Sequence, residues 1–120
     1  MPRGCAPACL SMADEIRLVF CTFPDAETAR RVAREIVELR LAACGNVLPH
    51  IHSVYRWKGQ VESGEESLAI FKLSAASYAE FEVKLRALHP YEVPEIIACP
   101  IDQGLPEYLR WVIANSGSES

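Results

Sequence analysis

The segment His89-Pro90-Tyr91-Glu92-Val93-Pro94-Glu95 constrains the fold of this chain more than any other. Its two prolines exclude a regular helix, and the residue before each proline is driven towards an extended backbone. The segment is therefore a stiff connector. It carries an imidazole, a phenol and carboxylates, where an ordinary turn carries Gly, Asn or Ser. Two interpretations are open: a connector that positions ligands or seals an interface, and a rigid turn between a helix and a strand.

The composition indicates one folded domain. The chain has 120 residues and is 50% hydrophobic, which is enough to build a core. Its formal net charge of −4 argues against a general nucleic-acid or anionic-membrane surface. Five cysteines without Cys-x-x-Cys spacing favour reduced thiols, and the apolar runs are too short to span a bilayer. We therefore expect a cytoplasmic protein with no nucleic-acid and no membrane partner.

The chain is expected to consist of a tail, a domain and a short end. Residues 1–14 show no periodicity and are predicted to be a mobile N-terminal tail. The domain covers residues 15–116, and residues 117–120 are a flexible C-terminus. Cys5 and Cys9 lie in the tail without a nearby ligand to complete a tetrahedral zinc site, so structural zinc is not expected there.

The spacing of apolar residues predicts an α+β domain. Strand patterns alternate, and helical patterns repeat at i, i+3 and i+7. In order, the predicted elements are a strand over 16–22, a helix over 25–43, strands over 47–58 and 61–73, a helix over 78–88, a strand over 95–101 and a short helix from Pro106. The βαββαβ order is typical of a ferredoxin-like sandwich, with an antiparallel sheet, helices on one face and here a short extra C-terminal helix.

Local signals predict several boundaries. Gly45 is expected to take the left-handed conformation that ends the first helix. Ser77 and Glu80 match a capping box at the start of the second helix. Pro49 has no N–H and indicates an edge strand or a β-bulge. The return arm of the hairpin is expected to break over residues 62–66.

The face of the sheet without helices is expected to be apolar. Val47, Ile51, Tyr55 and Trp57 are predicted to share this face of the hairpin. A monomer of this size rarely leaves such a patch in water, so self-association is the simplest cover.

Two histidines on the hairpin form one candidate metal pair. His50 and His52 share the opposite face of the same strand, at a spacing that could chelate a metal. The alternative is a pair of histidines on an exposed edge with no special role.

Four motifs together resemble one known family. They are Thr22-Phe23-Pro24-Asp25, Arg40-Leu41-Ala42-Ala43-Cys44, Tyr55-Arg56-Trp57-Lys58-Gly59 and the connector. Across roughly residues 16–114 the chain is similar to the CutA divalent-cation-tolerance proteins. The resemblance implies a tight homotrimer of ferredoxin-like subunits, with hairpin strands that extend across subunit boundaries. It also implies tolerance and binding of copper or other divalent cations, without an established enzyme activity.

The same resemblance implies the metal ligands. In bacterial members the metal is associated with a cysteine at the end of the first strand and a histidine that opens the His-Pro-Tyr motif, which are Cys21 and His89 here. Glu95 corresponds to an acidic position near the same cleft. Leu88 stands where a further histidine can precede the motif. Thiolate and imidazole favour copper or zinc over calcium or magnesium, and copper is the expected ion.

The residue types alone leave alternatives open. Cys21 could be a small core residue, and His89 could interact with the last carbonyls of a helix. The trimer could bind a small metabolite in its intersubunit clefts, or it could be purely structural. The residues expected in such a cleft or interface are Tyr55, Trp57, Tyr91, Glu92 and Trp111. No phosphate-loop or hydrolase motif occurs, so an enzyme is not expected.

Overall fold

The computed structural model describes residues 15–117, in which four strands and three α-helices follow the predicted order. They are β1 (Ile16–Phe23), α1 (Ala26–Glu38), β2 (Cys44–Trp57), β3 (Gln60–Ser74), α2 (Tyr78–Leu88), β4 (Ile96–Pro100) and α3 (Pro106–Ala114). The strands pair antiparallel in the order β2-β3-β1-β4. The predicted ferredoxin-like α+β fold is confirmed. The predicted N-terminal tail, with Cys5 and Cys9, and residues 118–120 lie outside the described residues.

The main core lies between one face of the sheet and helices α1 and α2. Its fully buried large side chains are Val19, Phe23, Val32, Ile36, Phe71, Leu73, Phe81 and Leu85. Phe71 and Phe81 meet edge to face with ring centroids 5.1 Å apart, which is a favourable aromatic geometry. A smaller cluster joins α3 to the start of β1. None of the described helices is long and apolar enough to span a membrane.

Helix α1 ends before its predicted boundary. Arg40 adopts the left-handed conformation, with φ of 62°, and the backbone leaves the helix there. The prediction that Gly45 ends the helix is therefore wrong. Gly45 lies in β2, where a Cβ atom would stand 3.0 Å from the ring of Phe71, so close packing explains its lack of a side chain. Arg40 also donates to the carbonyls of Ala114 at 2.8 Å and Gly117 at 3.1 Å, and it thereby fixes the C-terminal end of α3.

The hairpin of β2 and β3 is continuous. Residue pairs run without interruption from Ile51 with Glu66 to Trp57 with Gln60, so the predicted break over residues 62–66 is wrong. Ladder hydrogen bonds along the whole arm outweigh the weak strand preference of Gly and Glu in this stretch.

A β-bulge at Pro49 is confirmed. The register shifts between Leu48 and Ile51, and the Pro49 carbonyl accepts a 2.7 Å hydrogen bond from the Ser67 hydroxyl. The extra residue places Val47 on the helix-side face, so its predicted place on the face of Ile51 is wrong.

The predicted capping box at the start of α2 is wrong. Ser77 closes a 3-10 turn with a helical backbone and makes no side-chain cap hydrogen bond. An N-cap residue needs a non-helical backbone. The Ser77 hydroxyl instead lies 3.2 Å from the hydroxyl of Ser74.

Candidate functional site

The sheet face away from the helices is apolar and uncovered. We call it the open face; its most exposed apolar side chains are Leu48, Tyr55, Trp57 and Ile97. The strand register places them on the side opposite the core residues. Trp57 is 58% exposed and Ile97 is 56% exposed, which is unusual for such large apolar groups on one surface.

His89 directly follows helix α2, and its ring lies beside the end of β1. Both ring nitrogens are hydrogen-bonded to the main chain. Its Nδ1 accepts from the Tyr91 N–H at 3.1 Å, so the proton is on Nε2, which donates to the Thr22 carbonyl at 2.7 Å. The ring stacks on Phe23 with centroids 4.5 Å apart and is 7% exposed. His89 therefore fixes the connector against β1 as a neutral imidazole.

The buried imidazole predicts a pH-dependent stability. Burial lowers the pKa of His89 from its ordinary value of 6.5, although the hydrogen bond with Thr22 and the charge of Glu66 act in the opposite direction. Above about pH 6.5 neither the folded nor the unfolded state binds this proton. Below it the unfolded chain binds the proton first, so stability is lost as the pH falls through the folded-state pKa.

Urea midpoints measured from about pH 7.5 to pH 5 would test this dependence, with His89→Gln as the comparison, because other groups also titrate in this range. The wild type is expected to lose more stability than the variant. Equal losses in both proteins would show that His89 makes no such contribution.

Cys21 is a buried thiol in the core face of β1. Its side chain is fully buried, and this burial raises the pKa of the thiol to about 12, with the Glu95 carboxylate acting in the same direction. The group is therefore protonated at neutral pH, whereas a metal ligand must be a thiolate. Its S–H points to the adjacent Thr22 carbonyl at 3.8 Å.

The three predicted metal ligands converge on the end of β1 without forming a metal centre. Cys21 pairs with Ile96, next to the exposed Glu95, and His89 bonds to the neighbouring Thr22. Within residues 15–117 no group of three His, Cys, Asp or Glu side chains could hold a metal ion. A protonated thiol and an imidazole with both nitrogens occupied do not fit copper in this arrangement. The assignment of Cys21, His89 and Glu95 stays a prediction.

The connector is also tied to β3 through a phenol. The Tyr91 hydroxyl donates to a carboxylate oxygen of Glu66 at 2.9 Å. Burial, and then the hydrogen bond and charge of Glu66, raise the pKa of Tyr91. Glu92 is exposed beside it. Glu66 could not be identified from the sequence, because its place opposite Ile51 depends on the register after the bulge.

The two tryptophans lie in separate elements and make different contacts. Trp57 ends β2 on the open face, with the Lys58 ammonium 5.6 Å from its ring centroid. Trp111 lies in α3, is 44% exposed and stacks with Tyr108 at 5.7 Å. Their place in a subunit interface, like that of Tyr55, stays a prediction.

Comparison with known proteins gives consistent matches over almost the whole domain. Residues 17–115 match the sequence model of the family described as CutA1 divalent ion tolerance protein. The divalent-cation tolerance protein CutA of Thermus thermophilus is 44% identical over 100 residues, which cover 83% of this chain and 97% of that protein. Protein CutA of Mus musculus is 41% identical over 109 residues, which cover 86% of this chain and 62% of the mouse protein.

Solved structures show the same similarity. The divalent cation tolerance protein (Cut A1) of Thermus thermophilus superimposes with a TM-score of 0.82 and 43% identity, covering 85% of this chain and 99% of that one. CutA1 of Oryza sativa gives a TM-score of 0.85 and 36% identity, covering 91% of this chain and 100% of that one.

Proposed function

The chain belongs to the CutA1 divalent ion tolerance family, and on that premise we propose that it serves divalent-cation tolerance as a cytoplasmic homotrimer that binds copper or another divalent cation. The family is named for tolerance and not for a reaction, and the proposal includes no catalytic step.

The open face is the observation that carries the proposed assembly. Its large apolar side chains face solvent in a single subunit, and covering them would remove apolar area from water at about 25 cal/mol per Å². Strands β2 and β4 are the two edges of the sheet formed by residues 15–117, so their outer main-chain groups are available for pairing. Further copies of the same chain would supply both an apolar face and a strand edge.

The state of the cysteines supports the cytoplasmic part of the proposal. Cys21, Cys44 and Cys99, which are all the cysteines in the described part of the chain, are free thiols. Reduced thiols are the usual state in the cytosol, whereas exported domains of this size often form disulfides.

The metal part of the proposal rests on the family and not on the geometry around Cys21. Metal binding at Cys21 and His89 would need deprotonation of a buried thiol and loss of a main-chain hydrogen bond of His89. We therefore expect Cys21→Ser and His89→Gln to change the affinity for divalent cations by less than about threefold, which corresponds to about 0.7 kcal/mol.

Titration with Cu(II) and Zn(II), and anaerobic titration with Cu(I), would test the metal proposal under chelator competition. The wild type and both variants would be compared after their masses had been checked. Loss of tenfold or more in both intact variants would establish Cys21 and His89 as ligands. Absence of binding to every ion would contradict the metal part of the proposal.

A further inference from the structure

A histidine and a glutamate face each other across the hairpin, away from the end of β1. His52 and Glu65 are directly opposite in the β2 and β3 register. The Nδ1 atom of His52 lies 3.7 Å from Oε2 of Glu65, and the side chains are 62% and 71% exposed. Imidazole and carboxylate groups together are suitable ligands for Zn(II) and Cu(II).

The separation of these two atoms is close to that of two ligands on one metal ion. Zinc bonds to nitrogen and oxygen of about 2.0–2.2 Å at a tetrahedral angle place the two ligand atoms about 3.4 Å apart. The 3.7 Å separation of His52 and Glu65 therefore needs only a small side-chain adjustment. Both groups are exposed in the single chain, so a cation can reach them there without opening the fold.

His50 is the candidate for a third ligand on the same strand. It lies two residues before His52 in β2 and, like Pro49, has no partner in the β3 register. His50 is exposed and lies at the bulge between Leu48 and Ile51, where the strand bends. Because no group of three metal-ligating side chains is already assembled in residues 15–117, His50 must join by side-chain rotation.

We propose that His50, His52 and Glu65 form a binding site for a divalent cation of the Zn(II) and Cu(II) class on the hairpin. This inference deepens the proposed function, on which it rests for the class of ligand. It does not depend on Cys21 or His89.

Competition titration of the full chain with Zn(II) and Cu(II) tests this site. His52→Ala and Glu65→Gln are each expected to weaken binding by about tenfold or more, and His50→Ala by about three- to tenfold, because each removes one ligand. Glu62→Gln is the matched control. Glu62 belongs to the same strand but pairs with Tyr55 on the open face, so its substitution is expected to leave the affinity unchanged.

Three other results would contradict the hairpin site, its third ligand or cation binding as a whole. If the wild type binds Zn(II) and Cu(II) but His52→Ala and Glu65→Gln bind equally well, the hairpin site is wrong and cation binding stands. If His50→Ala alone has no effect, the three-ligand site is wrong. If the wild type binds neither ion, both this site and the proposed cation binding fail.

A spectroscopic measurement on the wild type avoids any variant that fails to fold. On addition of Zn(II), the imidazole NMR signals of His50 and His52 are expected to shift while those of His89 stay in place, because its nitrogens are occupied. Shifts confined to His89, or no shift at His52, would overturn the assignment.

Discussion

Ile97→Asp is expected to dissociate the proposed homotrimer into single chains. Ile97 lies on the open face in β4, opposite Phe20 of β1, and is 56% exposed in one subunit. In a packed interface the new carboxylate would lose its water without gaining a partner, which costs several kcal/mol. Light scattering at micromolar protein concentration would show the mass falling to that of one chain.

Val83→Asp is the matched control for this dissociation. Val83 is a similar aliphatic residue, 73% exposed, but it lies on helix α2 and not on the open face. Its substitution is expected to leave the mass unchanged. The open face would lose its proposed role if Ile97→Asp kept the wild-type mass, or if both variants dissociated alike.

Phe71→Ala is expected to lower the free energy of unfolding by about 3–5 kcal/mol. The ring is fully buried, meets Phe81 edge to face and lies against Gly45, so its removal leaves a cavity between sheet and helices. A domain of this kind has a total stability of about 5–15 kcal/mol, so this loss is a large fraction of it.

Urea unfolding at one fixed protein concentration measures this loss, since association shifts apparent stability. Val83→Ala on the exposed surface of α2 serves as the control and is expected to change stability by less than about 0.5 kcal/mol. A loss below about 1 kcal/mol in Phe71→Ala would mean that the ring is not a central core contact.

Most of the fold was predictable, because the periodicity of the apolar residues and the positions of the prolines indicate the same order and boundaries of helices and strands. The βαββαβ order, the end of α2 before Pro90 and the bulge at Pro49 all followed from such local signals. The predicted boundaries were wrong where tertiary contacts override the local conformational preference of the residues. Arg40, and not a glycine, takes the left-handed position at the end of α1, where its side chain holds α3.

The candidate site was less predictable, because its main contacts involve the backbone and the register. Family resemblance singled out His89, but only the structure shows that its partners are the Thr22 carbonyl and the Tyr91 N–H. Which glutamate faces His52 follows from pairing across the hairpin, and a shift of one residue would place a different side chain there.

The mass of the intact wild-type chain in solution tests the central claim most directly, because the open face is proposed to be covered by copies of the same chain. Native mass spectrometry or light scattering across the micromolar range is expected to give three times the 13.3 kDa of one chain. A mass of 13.3 kDa throughout that range would contradict the proposed homotrimer.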